Sequence, residues 1–223
     1  MNALLAGLIL FFATHSVRIF AERWRGAQVE RLGLNRWKAL YSLVAIAGFV
    51  LIAWGYGSAR LDPVILFNPP VWTRHLAALL TLPAFVLLAA AYVPGTRIKA
   101  KVGHPMVAGV KTWALAHLIA NGTLADVLLF GSFLAWSILD YTAARRRDRA
   151  AGTVYVTGPV SRDLVAVVVG LVLASGYVLT RTTADGWPAY ALTATTVLLA
   201  VTTRLHPLWL LAAAAVLGAA DVV

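Results

Sequence analysis

Apolar runs of membrane-crossing length recur from one end of this chain to the other, and that recurrence constrains its fold more than any single motif. Each run lies near the roughly 20 residues that a helix needs to cross a hydrocarbon layer of about 30 Å. They are read as Asn2–Phe20, Ala39–Tyr56, Arg74–Val93, Met106–Ala120, Thr123–Tyr141, Leu164–Thr180, Pro188–Thr203 and Pro207–Ala220. The expected fold class is therefore all-α, a polytopic integral membrane helix bundle with about six to eight transmembrane helices. Composition supports this class. The chain is 61% hydrophobic and only 13% charged, whereas soluble domains carry about 25% charged residues.

The charges alternate from loop to loop. Arg23, Arg25, Arg31, Arg36 and Lys38 crowd the first loop, whereas Arg60 and Asp62 balance in the second. Arg97, Lys99 and Lys101 lie in the third, and the Asn121-Gly122 turn is uncharged. Arg145, Arg146, Arg147 and Arg149 fill the next, and Arg181 and Asp185 cancel after that. By the positive-inside rule the basic loops are cytoplasmic. The expectation is a multi-pass protein of the bacterial inner membrane with a periplasmic N-terminus. A formal charge of +10 is accounted for by the same topology, so no nucleic-acid partner is inferred. Met1–Phe20 lacks a basic start and a small-residue cleavage site, and reads as a retained span. The chain has no cysteine, which excludes disulfides and thiolate metal sites.

No repeat stands out, and Ala143–Arg162, with Gly152, Gly158 and Pro159, is read as a cytoplasmic loop. The loops are too short for a separate catalytic domain, so any site lies in the bundle or at its rim. No nucleophile elbow, phosphate loop or intramembrane carboxylate pair is present. Histidine is what remains. His15 lies among Leu8, Phe11, Phe12 and Ile19, and His117 follows Trp113 by one helical turn. Either imidazole can ligate a transition metal or hydrogen-bond across helices, and the residues leave both roles open. His75 beside Arg74 reads as interfacial, and His104 before Pro105 as a helix-start residue; both are second choices as metal ligands. His206-Pro207 reads as a turn.

Two deep imidazoles on different helices suggest a planar cofactor between them, and haem is the common one. Trp113, Phe11 and Phe12 are expected to line its faces, with Arg18, Lys111 or Arg97 near its propionates.

The segments His15–Phe20, Trp37–Leu43, Trp54–Gly57, Ala91–Gly95 and His104–Gly122 closely resemble the NnrU family, over roughly Met1 to Val178. The resemblance implies a bacterial membrane protein linked to nitrite and nitric oxide reduction. NnrU proteins are in turn similar to the isomerase of the 15-cis bond of zeta-carotene, which uses a histidine-ligated haem b. That similarity implies haem b here, with His15-Ser16 and the Trp113-to-His117 segment in the matching positions, and respiratory nitrite or nitric oxide reductase machinery as partner. The cysteine of the isomerase is replaced by Ala114, so a thiolate-switched mechanism is not expected.

Residues 1–178 are accordingly read as an NnrU-like domain, and 179–223 as additional helices. In the latter, Thr203–Leu211 is similar to the end of chromate transporters. A fainter likeness, His104-Pro105 followed by Gly109, resembles membrane methyltransferases, but Gly103 stands where their arginine would be. Three functions compete: a haem-containing protein of redox, sensing or maturation role; an isomerase of a polyene or isoprenoid; and a transporter or cofactor-free scaffold. Lys111 is the one evident intramembrane charge, which counts against a polar transport path.

Overall fold

In the computed structural model, the backbone is described for residues 1–183 and side chains for residues 1–176. Eight α-helices and no strand are described: α1 (Asn2–Phe20), α2 (Glu22–Leu32), α3 (Leu34–Ala59), α4 (Val71–Tyr92), α5 (Arg97–Val102), α6 (Pro105–Ala120), α7 (Leu124–Ala150) and α8 (Val160–Thr183). Among the described residues, α1, α3, α4 and α7 are long and apolar enough to cross a membrane. Large side chains such as Leu43, Phe49 and Trp54 lie exposed on α3, as expected where the surrounding solvent is lipid.

The helices are not the same eight that the apolar runs suggest. The first basic loop contains α2 and the third contains α5, both too polar to register as spans. The loop expected over Ala143–Arg162 is mostly helix: α7 continues to Ala150 and α8 starts at Val160. Alanine and arginine are strong helix formers, so the backbone continues after the apolar face has ended. The runs Pro188–Thr203 and Pro207–Ala220, His206 and the Thr203–Leu211 segment lie outside the described residues.

Residues 1–171 form the first compact unit of the chain. Within the first, glycine brings α1 and α3 together. Gly48 faces the Phe11 backbone, Gly7 faces Gly48 and Ile52, and Gly55 faces the Leu4 backbone. Small residues permit such approach in lipid, where packing rather than water exclusion holds helices together. Leu4, Leu8, Ile52, Ala125, Leu129 and Phe130 form the adjoining core between α1, α3 and α7.

Each end of the bundle is fastened differently. At one end Thr123 caps α7 in a capping box with Asp126. Buried Asp126 also accepts a 2.5 Å hydrogen bond from Tyr56 on α3. Nearby, Leu124 N–H donates to Val64 and Leu66 N–H to Gly122, each at 2.8 Å, joining the α3–α4 connector to the α6–α7 turn. At the opposite, basic end, Gly103 closes α5 at φ 80, a conformation that glycine adopts without strain. Pro105 then takes the first turn of α6 as expected, with His104 at the N-cap. With 16 residues, α6 is about 24 Å long at a rise of about 1.5 Å per residue.

Candidate functional site

An aromatic seam joins α1, α6 and α7. Along α7, Phe130, Phe133 and Trp136 recur every three residues and present one face. Phe12 meets Phe133 at 4.9 Å and Trp136 at 6.0 Å between ring centroids. From α6, Trp113 sits 5.3 Å from Phe130 and 5.5 Å from Phe133. Both histidines singled out in the sequence border this seam, at different levels.

His15 stacks on Phe11 at 4.0 Å and meets Tyr41 and Trp136 edge-on at 5.4 and 5.8 Å. Its Nδ1 lies 2.8 Å from the Phe11 carbonyl oxygen. A carbonyl can only accept, so Nδ1 carries the proton and Nε2 keeps its lone pair. His117 instead stacks almost parallel on Phe130 at 4.5 Å, with Trp113 edge-on at 5.3 Å. The expected contact with Trp113 one turn away is present, but the stacking partner comes from α7.

His15 and His117 therefore meet α7 at Trp136 and Phe130, six residues and about 9 Å apart along the helix axis. Phe11, Phe133 and Trp113 form a continuous ring-to-ring path between them. Trp113 packs edge-on against both Phe130 and Phe133.

His15 also borders a cavity of about 780 Å³ at the basic end of the bundle. Trp37, Tyr41 and Trp136 line it with His15 and His104, and Arg18, Arg25, Lys38, Lys99 and Arg147 supply cations. Asp140 and Asp148 are the carboxylates of its lining. Trp136 Nε1 is buried beside it with no hydrogen-bond partner, a state that costs about 1–3 kcal/mol unless an acceptor arrives. His15 thus brings one tethered imidazole to a recess with aromatic walls and several cations.

The other expected residues divide. Arg18 borders the cavity and pairs loosely with Glu22 at 3.9 Å. Lys111 does not border it; its Nζ lies 4.7 Å from the Tyr141 ring centre, a cation–π contact. His75 is exposed near the start of α4. His104 lines the cavity, and its Nε2–H donates to Asp148 at 2.9 Å. Asp148 also accepts from Tyr155 at 2.8 Å and from Arg145 at 3.4 Å, tying α6, α7 and the following connector together. Burial, then the hydrogen bond to Asp148 and its charge, pushes the Tyr155 phenol above its ordinary value.

Among the described residues no three His, Asp or Glu side chains converge as a metal site. A bare ion thus finds no ligand set there, whereas a metal that brings its own ligands needs only one or two.

The sequence alone does not single out Tyr41, Trp136, Asp140 or Asp148 as site residues. The signals were modest: Tyr41 lies one turn after Trp37, and Trp136 ends the Phe130-Phe133-Trp136 stripe.

Fold and cavity together define a helical, lipid-embedded membrane protein with a ligand-sized recess at its basic end. No curated protein and no solved structure matches the chain. A family model does, described as NnrU protein and matching residues 3–214, and the chain belongs to that family. The matched span runs beyond residue 178, where the resemblance was expected to fade.

Proposed function

We propose that this NnrU protein binds haem b in the basic-end cavity, with His15 as its iron ligand, and supports nitrite and nitric oxide reduction in a redox, sensing or maturation role. The observation that carries the reading is the His15 tether. With Nδ1 committed to the Phe11 carbonyl, the ring is held in the tautomer that offers Nε2 to a metal, as metal-ligating histidines commonly are. Bound haem would supply one-electron and nitrogen-oxide chemistry. The chain's own part is to orient the imidazole through Phe11, Tyr41 and Trp136, and to set cations where propionates would emerge. The family's link to nitrogen-oxide respiration supports the physiological half of the proposal.

The test is absorption spectroscopy of the detergent-purified protein titrated with hemin. A Soret band that His15→Ala abolishes and His117→Ala spares is the expected result. A colourless protein under adequate haem supply would refute the reading and leave a scaffold role. Equal loss in both variants would restore the two-histidine arrangement.

A further inference from the structure

The cavity has more positive charge than its own carboxylates can balance. Five cations face two carboxylates, and the carboxylates are already engaged. Asp148 is held by His104, Tyr155 and Arg145, and Asp140 lies 3.9 Å from Arg147. Arg18 and Arg25 share Glu22. Lys38 and Lys99 are left: among the described residues neither forms an ion pair, and they reach the recess from different elements, α3 and α5. Positive-inside topology accounts for lysine on a loop surface, but not for two unpaired ammonium groups lining one recess with Trp37, Tyr41 and Trp136.

We infer that the cavity holds an acid-bearing amphiphile, a molecule with carboxylate or phosphate groups on an apolar body, whose acidic groups are received by Lys38 and Lys99 while its body lies against Trp37, Tyr41 and Trp136. An ammonium pairs with either anion as a point charge, so the geometry selects the acid group and not its source. Two sources have this chemistry: the carboxylates of a planar cofactor and the phosphate of an anionic lipid. The inference rests on the haem reading only for its choice of cavity. It makes the two lysines, rather than the iron, responsible for the polar end.

The experiment separates acid recognition from iron ligation. Full-length protein in neutral nanodiscs is titrated with metal-free protoporphyrin IX, followed by tryptophan quenching, and with its dimethyl ester, which has the same ring without free acids. The diacid is expected to bind at least about tenfold more tightly than the ester, and the Lys38→Gln/Lys99→Gln variant to lose that advantage. Arg60→Gln, at the other end of α3, leaves it intact. If the double variant fails to fold, the single variants and the diacid-to-ester ratio in the unaltered protein decide the matter. Equal binding of diacid and ester, or an unchanged ratio in the lysine variants, overturns the inference.

Added phosphatidylglycerol that displaces the diacid, where phosphatidylcholine does not, supports the inference with a lipid headgroup as a source. No displacement by either lipid, with the diacid still lysine-dependent, supports it with the carboxylates of a planar ligand. If hemin gives no His15-dependent band while the diacid still binds through the lysines, the haem reading fails and the acid site stands.

Discussion

Gly48→Ala and Gly57→Ala place the same methyl group on the same helix, yet their effects should have opposite signs. A Cβ at Gly48 would lie 2.9 Å from Phe11 N and 3.1 Å from Phe11 Cα and Cβ. Carbon atoms settle at about 3.5–4.0 Å, so α1 must withdraw from α3 by roughly half an ångström or more. Overpacking of this kind costs about 1–3 kcal/mol, roughly a five- to hundredfold loss in folding equilibrium. At Gly57 nothing among the described residues lies within 4 Å of a new Cβ. Only the intrinsic preference for alanine then acts, favouring the helix by up to about 1 kcal/mol.

The clash has a functional consequence as well. Phe11 carries both the carbonyl that tethers His15 and the ring that stacks on it, so Gly48→Ala should weaken hemin binding in the fraction that folds. Unfolding by SDS titration in mixed micelles, read by far-UV circular dichroism, gives the two stabilities. Wild-type stability in Gly48→Ala, or equal destabilisation in Gly57→Ala, would refute the close-contact argument.

Two further outcomes follow from the opposite ends of the bundle. Tyr56→Phe removes the hydroxyl that donates to buried Asp126 at 2.5 Å and should destabilise the protein by about 1–3 kcal/mol; an unchanged unfolding midpoint would show that Thr123 alone satisfies the carboxylate. The Tyr155 phenol has a raised folded-state pKa, so its contribution to stability is complete below its ordinary value near 10 and is lost as pH rises through the higher folded value. Melting curves across that alkaline range should show a decline that Tyr155→Phe reduces; an identical decline in the variant would assign it to other groups.

How far the sequence could be read is clearest in individual elements. Hydropathy located α1 at the observed bounds, because its apolar run is nearly continuous from Ala3 to Phe20. It stopped short on α3 and α7, where polar turns extend the helix beyond the apolar window, and it had no means of detecting α2 or α5. The levels of the two histidines are legible in their distances from the helix ends. His15 lies five residues before the end of α1, and His117 three before the end of α6. Helices α1 and α7 run in parallel and α6 against them, as the order of contacts along the aromatic seam requires. Those two helix ends therefore lie toward opposite sides of the bundle. The cavity was less accessible to prediction, because its lysines come from α3 and α5 and meet only through tertiary structure.

The length of α6 bears on the choice of membrane. At about 24 Å it falls several ångströms short of a typical hydrocarbon layer of about 30 Å. Neighbouring α4 and α7, with 22 and 27 residues, have length to spare. Such mismatch costs a fraction of a kcal/mol per ångström, so lipids with shorter acyl chains should suit the protein better. Thickening the bilayer would raise the strain at the α6 termini first, one of which holds His104 at the mouth of the recess.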